Sequence, residues 1–208
     1  MATSNIRGFT PVRTLDGSNQ FATVTRPTLG RNNGQIFPGD VVTIVSGGIR
    51  SYRHATASGA AANLPLGVVA RVLNAQGRPF TFNQPGSGPL IPTSSTGFAE
   101  VYENPHIVYQ VNASATASPV NVGRFAEIRV CAATTAVGRS GMSITLGTVV
   151  TAAGEAFKVY NLSSSEEEVR VSGEANNDVE VVMVNGLWTN PYFSNVVAAI
   201  PDVSSLSD

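Results

Sequence analysis

The sequence GFAEVYENPHIVYQVN, residues 97–112, carries the clearest alternation of apolar and polar residues in this chain. Beyond Pro105, the apolar residues Ile107, Tyr109 and Val111 fall on one face of an extended chain, and this period of two predicts a half-buried strand. The residues before the hinge alternate in the same way. Pro105 has no N–H to give to a sheet, so it belongs at a strand start, a bulge or an edge. The stretch therefore predicts two extended runs joined by a hinge.

The rest of the chain repeats this extended pattern. Two β-branched runs on either side of Gly47-Gly48 predict a hairpin, and the apolar run Leu66–Leu73 predicts a central strand. Val179–Asn185 is apolar on both faces apart from Glu180, which is typical of a central strand covered on both sides or at an interface. No segment sustains a period of 3.6 residues over three turns, so the predicted class is all-β, with a β-barrel or β-sandwich body.

Proline and glycine divide the chain into three regions. Residues 1–38 carry many of these breakers and little periodicity, so they predict an extended N-terminal arm that lies on the protein's own body or on a neighbouring subunit. Residues 39–190 form the predicted β-rich body, in which the Pro/Gly-rich segment 77–96 is a long ordered loop or a seam between two halves. Residues 191–208 are predicted to be a C-terminal tail that is ordered only by contact with a partner.

The composition excludes several classes of partner. Charged residues make up 13% of the chain, about half the usual share, which is typical of a surface covered by other subunits. A net charge of −1 leaves no excess of positive charge to neutralise a phosphate backbone, so we expect no nucleic-acid partner. Cys131 is a single cysteine and cannot form an internal disulfide. The N-terminus lacks an apolar leader and no run is long enough to span a membrane, so we expect a soluble chain.

No catalytic constellation is present in the sequence. His106 and Cys131 lack metal-ligand spacing and are interpreted as a strand histidine and an inert thiol. Glu100 and Glu103 fit solubilising edge charges as well as they fit a catalytic pair, and Glu166–Glu168 lacks the spacing of a calcium loop. The nucleotide-binding and nucleophile-elbow motifs are also missing. We therefore predict that the protein is not an enzyme and binds no metal or cofactor.

Five short motifs resemble a family of tailed-phage virion proteins that are regarded as head decoration, or cement, proteins. They are GFTPVRTLDGS (8–18), FPGDVV (37–42), LGVV (66–69), VYENPHIVYQV (101–111) and NDVEVVMVN (177–185). The chain departs from the family where Glu103-Asn104-Pro105 replaces two acidic residues before the proline. The resemblance covers most of the chain as a series of short pieces, and none of the shared motifs is catalytic.

The resemblance implies a β-rich protein on the outer capsid surface that bridges neighbouring capsomers. It implies two partners, the major capsid protein and further copies of the chain itself, most often as a trimer. The implied location is the outer surface of the virion capsid, after assembly in the host cytoplasm. The predicted capsid or subunit contacts are Phe9, Val12, Arg13, Leu15, Phe21, Ile36, Phe37, Trp188, Tyr192 and Phe193.

Two other functions remain open at the level of sequence. The first is a different β-structured virion component, from the neck or the tail surface. The second is a carbohydrate-binding or host-surface-binding module, whose site is usually floored by exposed aromatic side chains. Trp188, Tyr192 and Phe193 are the candidates for such a floor, although aromatic anchors of a core or of a subunit interface explain them better.

Overall fold

The structure of the chain is a computed structural model. It describes residues 8–28, 35–45, 47–52, 64–79, 90–92, 95–115, 117–130, 138–146, 156–162 and 178–188. The strands are β1 (Thr10–Thr14), β2 (Val24–Pro27), β3 (Val41–Val45), β4 (Gly48–Ser51), β5 (Pro65–Leu73), β6 (Phe98–Tyr102), β7 (Ile107–Asn112), β8 (Phe125–Val130), β9 (Met142–Leu146), β10 (Phe157–Leu162) and β11 (Asp178–Met183). A single 3-10 turn, Pro119–Asn121, is the only helical element of the described residues.

Two antiparallel sheets pack together as a β-sandwich, which confirms the all-β prediction. The larger sheet has the order β1-β7-β11-β10-β8-β9, and the smaller one has the order β2-β6-β5-β3-β4. A parallel bridge between Thr28 and Ile49 brings the two outer strands of the smaller sheet together. In the larger sheet, a parallel bridge between Ala113 and Ile144 joins the residue after β7 to the edge strand β9.

At the Pro105 hinge the chain passes from the smaller sheet back to the larger sheet. β6 lies in the smaller sheet and β7 lies in the larger sheet. Between them, the Asn104 side chain accepts a hydrogen bond from the His106 N–H at 2.9 Å, and the Ile107 N–H donates to the Asn104 carbonyl at 3.3 Å. Pro105 occupies the second position of this turn, where its missing N–H costs nothing.

The predicted alternation explains which side chains form each core. Ile107, Tyr109 and Val111 point into the large cluster between the sheets, whereas Val108 belongs to a smaller cluster on the opposite face of β7. β11 is central in the larger sheet and has apolar residues buried on both faces, as its sequence predicts. The smaller sheet encloses a second core, to which Val42, Leu66, Val69, Ile91 and Val101 contribute.

The described part of the predicted arm lies on the chain's own body, one of the two alternatives that the sequence left open. β1 pairs with β7 in the larger sheet and β2 pairs with β6 in the smaller sheet. A register shift between Pro11 and Arg13 marks a bulge in β1, which is where an edge strand tolerates proline. Residues 1–7 and 29–34 lie outside the described residues, as does the predicted tail 191–208.

The segment 77–96, which the sequence offered as a loop or a seam, connects two neighbouring strands of one sheet. β5 precedes it, β6 follows it, and the two strands pair with each other. Its described residues include Ile91, which is fully buried and bridges to Ile36. The chain changes sheet about ten residues later, at Glu103–His106, and not within this segment.

Candidate interaction surface

Large apolar side chains are exposed where the start of β5 meets the residues after β11. Thr43 pairs with Pro65, and the Thr43 hydroxyl donates a hydrogen bond to the Leu64 carbonyl at 2.7 Å. On the other side, the Leu187 N–H donates to the Pro65 carbonyl at 2.8 Å. These contacts bring together Ile44, Leu64, Leu187 and Trp188, which are 40%, 44%, 39% and 50% exposed and which we name the apolar patch.

One residue of the apolar patch continues a row that is buried further along the same strand. Ile44 lies two residues beyond Val42 on β3, so it shares a strand face with that residue of the second core. Val42 is 0% exposed, and Ile49, which pairs with Ile44 from β4, is also 0% exposed. The exposed side chain of Ile44 therefore lies next to buried residues of the second core.

Trp188 is the one member of the predicted C-terminal aromatic cluster that the described residues include. Its side chain is half-exposed, whereas Tyr192 and Phe193 lie outside the described residues. An exposed tryptophan beside three exposed aliphatic side chains has the composition of an interface core, where tryptophan is enriched and charge is depleted.

Three of the predicted contact residues are buried inside the chain itself. Phe9, Ile36 and Phe37 are 2%, 0% and 3% exposed. Phe9 stacks on Phe157 with ring centroids 4.7 Å apart, and it meets Tyr109 edge to face at 6.4 Å. These side chains anchor the chain at residues 8–9 and 36–37 to the body, so their buried surface is not available to a partner.

Three further predicted contacts are only partly exposed. Val12 and Leu15 pack against the apolar cluster on the outer face of the larger sheet. Phe21 packs against the main core and meets the Tyr102 ring edge to face at 5.9 Å. Each retains some accessible surface, but Val12 and Leu15 belong to one apolar cluster and Phe21 to another. The described members of the predicted contact set are therefore divided between the interior and more than one part of the surface.

Arg13, the one charged residue among the predicted contacts, has a partner within the chain. Its guanidinium donates two hydrogen bonds to the Glu180 carboxylate, at 2.8 and 2.5 Å. It also lies 5.6 Å from the centre of the Tyr160 ring. The hydrogen bond to Glu180 raises the pKa of Arg13 above its usual value. The pair explains how a glutamate is tolerated in the otherwise apolar strand β11.

Glu100 and Glu103, the two carboxylates just before the hinge, are each bound by a different arginine. Glu103 accepts two hydrogen bonds from Arg26, at 2.6 and 2.7 Å, and Glu100 accepts two from Arg71, at 2.7 and 2.6 Å. Each bidentate contact holds its carboxylate in a fixed orientation against the guanidinium. Glu100 and Glu103 therefore act as separate ion pairs that link neighbouring strands, and not as an acid–base pair.

Two of the five short motifs quoted above form tight turns. In FPGD, the Asp40 N–H donates to the Phe37 carbonyl at 3.1 Å, and Gly39 follows a proline with φ at +85°, as the third position of a type II turn requires. In the first motif, the Thr14 N–H donates to the Ser18 carbonyl at 2.8 Å around Gly17. Gly17 and Gly39 are therefore required by the positive φ angles of these two turns.

A cleft of about 340 Å³ opens between the sheets, next to the FPGD turn. Its lining residues come from the start of β1, the turn at Pro38-Gly39, the bulge of β5, the end of β6 and the residues before β9. They are Phe9, Thr10, Pro11, Pro38, Gly39, Val69, Ala70, Tyr102, Gly138 and Arg139. Arg139 is the only charged side chain among them, and the cleft has no carboxylate or imidazole that could act as a base.

The described residues contain no group of three or more His, Cys, Asp or Glu side chains that could hold a metal ion. Likewise, no helix in the described ranges combines the length and the apolar character needed to cross a membrane. His54, Cys131 and Glu166–Glu168 fall outside the described residues. Comparison of the chain with protein-family models, curated proteins and solved structures finds no match.

The sequence alone did not point to most of the apolar patch. Ile44 has the spacing of a core residue, so its alternation with Val42 predicts burial where the structure exposes it. Leu64 precedes the apolar run of β5 and Leu187 follows the turn-forming pair Asn185-Gly186, so neither carries a pattern of its own. Trp188 is the one member of the apolar patch that residue type alone pointed to as a contact.

Proposed function

We propose that this protein is a structural virion protein that binds the outside of a phage capsid and cements neighbouring capsomers. In this proposal it has no catalytic activity and needs no cofactor. Its partners are the major capsid protein and further copies of itself, with a trimer as the expected assembly, and its place is the outer surface of the shell.

The observation that carries the proposal is the apolar patch. A chain with few charges presents Ile44, Leu64, Leu187 and Trp188 together on its surface, each of them 39–50% exposed. Contiguous exposed apolar surface on a soluble protein marks a contact with another macromolecule. A buried tryptophan surrounded by aliphatic side chains is the usual centre of such a contact.

The resemblance to decoration proteins supplies the identity of the partner. Two of its motifs, LDGS and FPGD, form turns that shape the body, and a third contains the hinge between the sheets. A cement protein contacts several subunits at once, so many weak contacts of this kind add up to a stable attachment. Low charge suits that arrangement because the cores of interfaces are depleted in charged residues.

Reconstitution on capsid shells tests the proposal. Purified protein is added to shells that lack it, and binding is measured by co-sedimentation together with the temperature at which the shells disrupt. We expect binding at hundreds of copies per shell, as opposed to about a dozen for a neck ring, and a higher disruption temperature. Absence of co-sedimentation, with no change in disruption temperature, would refute the proposed function.

Substitutions in the apolar patch test the observation itself. Trp188→Ala and Leu187→Ser should each weaken shell binding, with Trp188→Ala lowering affinity by about 10- to 30-fold as expected for a hot-spot residue. Val120→Ser is the matched control, since Val120 is 66% exposed and lies outside the patch. If all three variants bind the shells equally well, the apolar patch is not part of the contact.

Because Trp188 is exposed, carbohydrate binding is a second candidate function. An accessible indole ring stacks on the apolar face of a sugar, and Trp188 is half-exposed. A glycan array separates the two functions. Binding to a defined glycan that is lost in Trp188→Ala, combined with no binding to shells, would favour the carbohydrate module.

A further inference from the structure

Asp40 is the most deeply buried acid of the described residues and has no basic partner among them. Its exposed fraction is 3%, against 9% for Glu180, the other buried acid. Glu180 is matched by Arg13, as described above. Asp40 instead receives hydrogen bonds from an uncharged hydroxyl and a backbone N–H. Glu180 is therefore buried beside a cation, whereas Asp40 is buried with uncharged hydrogen-bond donors alone.

The carboxyl group of Asp40 joins the two sheets. Asp40 immediately precedes β3 of the smaller sheet, and Ser140 lies two residues before β9 of the larger sheet. Their side-chain oxygens, Oδ1 and Oγ, are 2.5 Å apart. The other carboxyl oxygen accepts the Phe37 N–H at 3.0 Å, and Ser140 Oγ accepts the Met142 N–H at 3.0 Å. One carboxyl group thus connects the FPGD turn to the start of β9.

Two further contacts surround this connection. The Val41 N–H lies 3.1 Å from the Met142 sulfur, across the sheet boundary. The Phe9 N–H donates to the Gly39 carbonyl at 2.9 Å, which adds the start of β1. We name Phe9, Gly39, Asp40, Ser140 and Met142 the inter-sheet junction. A Cβ at Gly8 would lie 2.4 Å from the Ser140 Cβ, so the backbone packs tightly here.

Charge at this position is costly. Removing a lone carboxylate from water is unfavourable, and hydrogen bonds from Ser140 and the Phe37 N–H offset only part of the cost. Burial accordingly raises the pKa of Asp40 to about 7, and these two hydrogen bonds act in the opposite direction. A protonated carboxyl group keeps both contacts, because one oxygen still accepts the Phe37 N–H and the O–H can donate to Ser140 Oγ.

The charged groups on the neighbouring elements do not neutralise Asp40. The elements in contact with the FPGD turn are β1, β5 and the residues before β9, and their cations are Arg13, Arg71 and Arg139. Arg13 and Arg71 are bound to glutamates, and Arg139 is exposed on the rim of the cleft. Strands β3 and β9 carry no charged residue.

We propose that Asp40 is a proton-linked latch between the two sheets, neutral in the intact sandwich and weakening the inter-sheet junction when it ionises. The direction follows from linkage. Because the folded chain holds the proton more tightly than the unfolded chain, folding takes up a proton between the two pKa values. The stabilisation is complete below about pH 4, falls as the pH rises towards 7, and is lost above that. This inference does not depend on the proposed function.

Urea unfolding of the full chain between pH 5 and 8.5 tests the latch. We expect the wild-type urea midpoint to fall steadily from pH 5 to about pH 8 and then to level off. Asp40→Asn imitates the neutral acid, since its amide can donate to Ser140 Oγ while its oxygen accepts the Phe37 N–H. It should show a flat profile over the same range and a higher midpoint than wild type at pH 8.

The control is Asp16→Asn. Asp16 is fully exposed and its pKa is lowered by the hydrogen bond from Thr14, so its titration falls below the tested range. Its profile should match that of wild type. A carbon-13 NMR titration of the wild-type carboxyl groups gives an answer even if Asp40→Asn does not fold. A midpoint for Asp40 below pH 5, or parallel profiles for wild type and Asp40→Asn, would overturn the proposal.

Discussion

The stability lost when Phe9 is truncated measures how strongly the N-terminal segment is packed against the body. Its ring is 2% exposed, stacks on Phe157 and lies edge-on to Tyr109. The preceding residue, Gly8, has a φ of +69°, and the Phe9 N–H is bound to the Gly39 carbonyl. Truncation of this side chain removes an aromatic ring from the centre of the main core.

We expect Phe9→Ala to lower the free energy of unfolding by about 3–5 kcal/mol. Burial of about 200 Å² of aromatic surface at about 25 cal/mol per Å² accounts for about 5 kcal/mol, and relaxation around the cavity reduces that loss. Phe9→Leu keeps most of the volume and should cost clearly less. Urea unfolding followed by far-ultraviolet circular dichroism gives the midpoint and the slope for each variant.

Val24→Ala is the matched control for Phe9→Ala. Val24 lies in the same predicted arm, but it is 42% exposed on the edge strand β2, so its truncation should change stability by less than about 0.5 kcal/mol. A loss below about 1 kcal/mol for Phe9→Ala would contradict our reasoning, because a cavity in the core costs more than that. Residues 8–14 would then act as a detachable arm and not as part of the sandwich.

Three further outcomes follow from the packing. Arg13→Met should destabilise the protein by about 1–3 kcal/mol, because it leaves the Glu180 carboxylate buried without its cation, and the double variant with Glu180→Leu should recover part of that loss in a double-mutant cycle. Gly67→Ala should cost more than Gly77→Ala in thermal unfolding, since a Cβ at Gly67 would lie 2.2 Å from the Tyr102 carbonyl oxygen, whereas a Cβ at Gly77 meets no atom and costs only the backbone strain of a φ of +73°. The latch at Asp40 should reduce the free energy of unfolding by up to about 4 kcal/mol between pH 4 and 7, and a constant value over that range would contradict it.

The buried ion pair and the buried acid show two ways in which one fold accommodates charge. Arg13 and Glu180 lie on β1 and β11, which are separated by β7 in the larger sheet. The two hydrogen bonds between them offset part of the cost of burying the carboxylate. Asp40 has no such compensation and responds to pH instead. Stability near neutral pH should therefore depend on Asp40 more than on any other acid of the described residues.

The proposed attachment surface and the latch lie at different places in the sandwich. The apolar patch involves the start of β5 and the residues after β11, whereas the inter-sheet junction involves the FPGD turn and the start of β9. Substitutions at Trp188 should consequently leave the pH profile of unfolding unchanged. Substitutions at Asp40 should change shell binding only through stability.

Much of the strand pattern was predictable because it is local. The period of two in residues 97–112, the Gly47-Gly48 turn and the double-faced apolar run at 179–185 each predicted a strand or a hairpin that the structure contains. Side-chain alternation depends only on neighbouring residues, so the sequence is enough to assign it. The same reasoning identified Leu66–Leu73 as central, and β5 indeed lies between β6 and β3.

The candidate site was less predictable, since exposure depends on where a sheet ends. Ile44 has the alternation of a core residue and pairs with the buried Ile49, yet Ile44 and the nearby Leu64 are 40% and 44% exposed. Conversely, Phe9, Ile36 and Phe37 come from a segment rich in breakers and are almost completely buried. Local composition could not separate these two groups, because burial is set by residues distant in sequence.

The all-β class, the positions of most strands and the turn at Pro105 could all be assigned from the order of the residues. The fold adds that this turn separates two sheets, that β1 and β2 belong to different sheets, and that Asp40 meets Ser140 across 100 residues. Strand alternation is a local property and can be assigned from neighbouring residues, whereas pairing and burial come from contacts between distant segments. Those contacts fix the charge state of Asp40 and the exposure of Trp188.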